Sequence, residues 1–200
     1  MATSKSKSSY SSNNSKFKIV INAPVVLTFS AICVVALILG KVTHDNTTAA
    51  VFSVYRSSMA NPLTYIRFFG HVFGHSSVEH LVGNLMTILI LGPMLEERYG
   101  GKTIAFVIAI TALVTGVVQF IFFPGSALLG ASGVVFAFIL LASFTGFKDR
   151  EIPLTFILVA VLYIGQQIYQ MVAVDDNVSQ LTHILGGLTG SVIGYRLNKK

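Results

Sequence analysis

From Thr103 to Phe147 the chain carries no Asp, Glu, Lys or Arg, a run of 45 residues in a total of 200. About 20 apolar residues suffice for one helix to cross a bilayer, so this run alone places much of the chain within or beside lipid. Inside it lies Gly130-Ala131-Ser132-Gly133, a hydroxyl of the nucleophile type held between glycines. Ser and Gly are also the small residues that let membrane helices pack closely, so the motif alone decides nothing. Composition supports the same class: 53% of residues are hydrophobic and 11% charged, the balance of an all-α polytopic membrane protein. The length leaves room for about six spans of roughly 20 residues and no separate soluble domain.

Taken in order, residues 1–16 are rich in Ser, Lys and Asn and read as a disordered tail. Residues 17–198 read as one membrane domain. Ile19 to Gly40 is uncharged for 22 residues between Lys18 and Lys41, too long for the apolar core of a cleaved signal peptide, and is expected to stay as the first span. Cys33 is the one cysteine, which excludes an intrachain disulfide. The mixed segment from Val42 to Glu79 is the longest connection, and long loops in compact proteins usually have work to do. His71, His75 and His80 fall in or beside it. Histidines at i and i+4 can share a metal, yet no cysteine or close carboxylate pair completes a shell, so no metal or other cofactor is expected.

The second span is read from about His80 to Leu95, with His80, Asn84 and Thr87 forming one polar stripe. Such a stripe must face other helices or a wet cavity. The third runs from Thr103 to Phe123, the fourth from Ser132 to Phe147, the fifth within Ile152 to Val174, and the sixth from Val178 to Tyr195. On the sixth, His183 is followed by Gly186, Gly190 and Gly194 at steps of four, a stripe that lets another helix come close.

The net charge of +6 does not form a nucleic-acid patch, because the basic residues sit at the ends of apolar runs. With six spans and the tail inside, eleven Lys and Arg lie on inner segments, against Lys41, Arg56 and Arg67 outside. Both termini are therefore expected in the cytoplasm, with the second, fourth and sixth spans running from outside to inside. Counting about 1.5 Å per residue from their inner ends puts Ser132, His183, Asn84 and His80 roughly 16 to 22 Å up, in one layer near the outer surface.

A serine hydroxyl is a weak nucleophile that needs a base, and His183 has a suitable intrinsic pKa of about 6.5. No carboxylate lies at that level, so the set offers a dyad. Backbone N–H groups at the start of the fourth helix, with Asn84 and His80, could stabilise the oxyanion of a tetrahedral intermediate. Gly130 and Gly133 let backbone approach a substrate.

Arg67, His71, His75, His80 and Asn84, then Gly130-Ala131-Ser132-Gly133, then His183 with Gly186 and Gly187, together closely resemble the rhomboid intramembrane serine proteases. The resemblance runs from about Ile19 to Arg196. It implies a six-helix rhomboid bundle with a long outer loop between helices 1 and 2. Ser132 would be the nucleophile, His183 the general base, and His80 and Asn84 parts of the oxyanion hole. Arg67, His71 and His75 would belong to a structural loop in the outer leaflet, and Glu96-Glu97-Arg98 would match a structural Glu-x-Arg. Ile66 stands where many relatives have Trp, and Phe136 where some have a Tyr stacked on the catalytic histidine, so the level of activity is the property these departures bear on.

The implied activity is cleavage of single-pass membrane proteins near the outer end of a transmembrane segment, in the cell membrane. The implied partners are transmembrane substrates and membrane lipid, with no nucleic acid. A catalytically silent relative that binds transmembrane helices is the alternative. A channel fits less well, since the spans show no paired broken segments and no intramembrane carboxylate.

Overall fold

The computed structural model describes residues 19–145, 154–173 and 177–198. The tail at 1–16 and the charged connections around Lys148–Glu151 and Asp175–Asp176 lie outside them. Eight α-helices are described: α1 (Pro24–Val42), α2 (Asn46–Val51), α3 (Pro62–Gly70), α4 (Val78–Tyr99), α5 (Gly101–Phe122), α6 (Ser132–Ser143), α7 (Leu154–Ala173) and α8 (Asn177–Asn198). A 3-10 turn over His71–Phe73 follows α3. Among the described residues α1, α4 and α5 are long and apolar enough to cross a membrane.

Helix ends differ from the sequence reading for local reasons. The helix expected from His80 starts at Val78, because the Ser77 side chain accepts the His80 N–H at 3.1 Å and caps it. It continues past Leu95 through Glu96-Glu97-Arg98 and stops at Gly100, whose φ of 83° suits a residue without Cβ. The extension has a purpose. Glu96 is buried, and its two carboxylate oxygens accept the Val25 and Val26 N–H groups at 3.0 Å each. Those are orphan donors in the first turn of α1, whose own N-cap, Ala23, supplies no side-chain bond. The helix read as reaching Phe147 is α6, which ends at Ser143.

α6 is the centre of the bundle. Val134, Val135, Ala137, Phe138, Leu140 and Leu141 are buried around nearly its whole circumference, and it packs on α4, α5, α7 and α8. Its closest partner is α8. A Cβ at Gly186 would strike the Gly133 carbonyl oxygen, and one at Gly190 the Ala137 carbonyl oxygen, so the two backbones touch along the glycine stripe.

The connection read as a long loop is itself folded. α3 opens with Pro62 behind Asn61, whose side chain accepts the Leu63 N–H at 3.0 Å. From α3, Arg67 is buried. It donates to the Ala50 carbonyl at 2.9 Å and to Ser57 Oγ at 3.3 Å, and stacks on the Tyr55 ring at 4.4 Å. His71 ties the connection to α5, with Nδ1 3.1 Å from the Arg67 carbonyl and Nε2 3.1 Å from Thr115 Oγ1. Val54 and Leu128 exchange backbone hydrogen bonds of 2.9 Å, joining the connection to the segment that leads into Ser132.

Candidate active site

Ser132 is the first residue of α6, half-buried. Val135 is the first residue of the helix whose N–H turns back on its own chain, to the Ala131 carbonyl at 2.9 Å, and Ala131 provides no side-chain cap. The Ser132, Gly133 and Val134 N–H groups therefore form the electropositive end of a helix beside the hydroxyl. Three contacts aim this end. The Val54–Leu128 pair fixes the incoming chain, Gln119 Nε2 donates to the Phe123 and Ser126 carbonyls at 3.3 and 3.0 Å, and the Gly130 N–H donates to the His71 carbonyl at 2.9 Å.

Gly130 has φ 130°, a conformation that L side chains rarely adopt. A Cβ there would stand 2.9 Å from both Cε1 and Nε2 of His80 and 3.9 Å from Ser132 Oγ. The His80 ring edge and the serine hydroxyl thus flank the same glycine. On the other side of the His80 ring, Nδ1 is 3.2 Å from Ser76 Oγ.

Asn84 lies one turn further along α4 and is buried. Its Nδ2 is 3.1 Å from His75 Nε2, while His75 Nδ1 is 3.1 Å from the Phe73 carbonyl. A carbonyl only accepts, so Nδ1 carries the proton and Nε2 receives one amide hydrogen of Asn84. The amide orientation follows from the network. The His75 and His80 rings stand edge to face at 5.0 Å. Burial away from water pulls the His75 pKa down to about 4, with the nearby His80 adding to the effect, and burial also takes His71 to about 4. Both imidazoles are therefore neutral near pH 7.

His183 is half-buried on α8 and packs against the Phe136 ring of α6, centroids 4.5 Å apart and planes tilted by 48°. Thr182, the residue before it, lies beside Gly133, and Gly186, three residues on, rests on the Gly133 carbonyl. His183 is thereby held on the first turns of α6. Phe136 stacks without a hydroxyl, as its chemistry requires. Gly133 gives room for Thr115, Thr182 and Thr111, whose methyl groups lie 3.5 to 3.7 Å from where its Cβ would be. Arg67 does not enter this cluster; it serves the connection. Among the described residues no group of three His, Cys, Asp or Glu is arranged to hold a metal ion.

Two contributors were not read from the sequence, namely His75 as the partner of Asn84 and Ser76 as the partner of His80. His75 and Asn84 are separated by nine positions across a helix start, a spacing with no period to detect. Ser76 falls at i−4 from His80, yet it precedes the helix.

A helical membrane bundle with a serine at the N-terminus of its central helix and histidines on two neighbouring elements defines a narrow class. A family model described as the rhomboid domain matches residues 62–200. The chain belongs to the rhomboid family and is an integral membrane protein. It is 32% identical over 158 residues to Rhomboid-related protein 2 of Mus musculus, covering 68% of this chain and 52% of that protein. It is 29% identical over 165 residues to Rhomboid-related protein 1 of Caenorhabditis elegans, covering 78% and 46%. Against Rhomboid protease GlpG of Serratia proteamaculans the identity is 26% over 176 residues, covering 86% and 62%. The chain thus spans about half the length of the first two relatives and under two thirds of the third.

Proposed function

We propose that this protein is an intramembrane serine endopeptidase that cuts transmembrane segments of membrane proteins by a Ser132–His183 dyad. The observation that carries the reading is the seating of His183 on Phe136, with Gly186 on the Gly133 carbonyl, which holds an imidazole against the helix end that bears Ser132. In the reaction Ser132 Oγ attacks the scissile carbonyl as His183 takes its proton. The carbonyl oxygen becomes an oxyanion, which receives hydrogen bonds from the free amide hydrogen of Asn84, from His80, and from the N–H groups opening α6. His183 then passes its proton to the leaving amine. A water, deprotonated by the same imidazole, attacks the acyl carbonyl, and His183 returns that proton to Ser132 Oγ as the acid product leaves.

For His80 to donate toward Gly130, its Nε2 must carry the proton. The Ser76 hydroxyl, 3.2 Å from Nδ1, supplies a donor that favours that tautomer. The bundle is read as six spans, α1 and α4 to α8, with both termini in the cytoplasm of a cell-membrane protein and the Ser132 layer near the outer face. The family assignment and the relative named as a protease support the activity. Fluorophosphonate labelling of purified protein, alongside cleavage of a model transmembrane substrate, tests it. Both signals should vanish in Ser132→Ala. A folded wild-type protein that neither labels nor cleaves would instead be a silent helix-binding relative.

A further inference from the structure

At the end of the bundle away from Ser132, a groove of about 710 Å³ runs between α5 and α8. Its walls are apolar, with Phe106 and Ile110 on α5 and Leu188 and Val192 on α8. Lys102 and Arg196 both line it as well, on the first turn of α5 and the last turn of α8. The last turn of α8 is tied there to the end of α4, just before α5 begins, since Asn198 Nδ2 donates to the Tyr99 hydroxyl at 3.0 Å. Among the described residues neither Lys102 nor Arg196 has a hydrogen bond or ion pair, and α5 starts without a side-chain cap. One end of the groove thus gathers two cations that pair with no acidic group among the described residues, and the positive end of a helix 22 residues long. The remainder is mostly hydrocarbon, with Thr103 and Thr189 as its other polar residues.

We propose that this groove binds one anionic phospholipid, with its phosphate held by Lys102 and Arg196 and an acyl chain along Phe106, Leu188 and Val192. The polarity of the site matches the molecule end for end. A bilayer puts headgroups at helix ends and chains beside helix middles, and basic pockets between membrane helices are suited to anionic headgroups. The volume lies within the roughly 300 to 1,000 Å³ of small-molecule sites. A topology role for the two cations explains their sign but not why both border one concave, apolar channel. A second copy of this chain would bring its own Lys102 and Arg196 to the same place and meet like charge. The site is about 20 Å along α8 from His183, counting 13 residues at 1.5 Å each, so it is separate from the proposed chemistry.

Native mass spectrometry of the whole purified protein, exchanged from detergent with phosphatidylglycerol or phosphatidylcholine of matched chains, tests this. One phosphatidylglycerol should be retained in preference to phosphatidylcholine. Each cation near a membrane surface contributes roughly fivefold, so Lys102→Gln with Arg196→Gln should weaken phosphatidylglycerol retention by about 30-fold. Arg98→Gln, a cation at the same end that does not line the groove, should change it less than twofold. Val192→Trp should reduce retention of phosphatidylglycerol by filling the channel, with the thermal midpoint checked for every variant. Equal retention of the two lipids, an equal loss in Arg98→Gln, or a dimer peak in place of the lipid adduct would overturn the proposal.

Discussion

Asn84 carries two amide hydrogens, and His75 Nε2 takes one of them at 3.1 Å. The other is the one proposed to meet charge that develops on a substrate oxygen. If that is its use, Asn84→Ala should lower kcat by about 10 to 1,000-fold in protein that still folds, because the bond forms only in the transition state. His75→Ala should lower kcat less and leave KM near wild type, since it frees the amide to rotate without removing it. Thermal stability measured on the same preparations separates this from simple loss of packing. Ser132 and His183 are expected to act as a unit. Ser132→Ala, His183→Ala and the double variant should therefore lose similar activity rather than multiply their losses, and kinetics on a transmembrane substrate would show it. At this scale Ser132, His183, His80 and Asn84 stand out in the sequence, through small motifs and a helical stripe, as the residues of the proposed site. The sequence did not carry His75 to Asn84 or Ser76 to His80, because those pairs depend on how the turn at Gly74 to Ser77 is folded.

Elements were legible where a single helix makes its own case. Apolar runs bounded by charges located each long helix, and the spacing of Gly186, Gly190 and Gly194 predicted a close approach that α6 supplies. Ends were misjudged where another segment decides them. Glu96 looks like the charged close of a span, yet it lies inside α4 because the N-terminus of α1, 70 positions away, needs its carboxylate. Likewise α2 and α3 are short, and what holds them is the buried Arg67 and His71 rather than a long amphipathic period. The glycine contact has a direct consequence. A valine at Gly186 or Gly190 would meet a backbone carbonyl on α6 and must push the helices apart. A displacement of about 1 Å at a reacting centre costs on the order of 100-fold in rate. Gly186→Val and Gly190→Val should therefore lose at least that much activity although neither residue touches substrate. Assays in detergent and in reconstituted bilayers, corrected for folded fraction, read the effect; near wild-type rates for both would mean that α6 and α8 tolerate separation.

Across the whole molecule, the connection between α1 and α4 acts as a brace that links α3, α5 and the approach to Ser132, and two buried neutral histidines help to tie it in place. His71 bonds Thr115 on α5 and, through its carbonyl, the Gly130 N–H, while His75 holds Asn84 on α4. Their pKa values lie at about 4 in the folded protein, against about 6.5 for an unhindered imidazole. Between these values the unfolded chain binds protons that the folded one refuses, so the stability these two groups contribute is present above about pH 6.5 and is lost as pH falls toward 4. At pH 5 the loss is on the order of 2 kcal/mol for each imidazole. A protein of this size changes its midpoint by about 2 to 4 °C per kcal/mol, so the thermal midpoint should fall by roughly 10 °C between pH 7 and pH 5. His75→Gln should flatten the slope by about half while lowering the midpoint at pH 7, because the amide keeps part of the bonding to Asn84 but cannot titrate. Thermal unfolding in a non-ionic detergent across this pH range makes the comparison. An unchanged slope in His75→Gln would place the acid sensitivity elsewhere in the bundle.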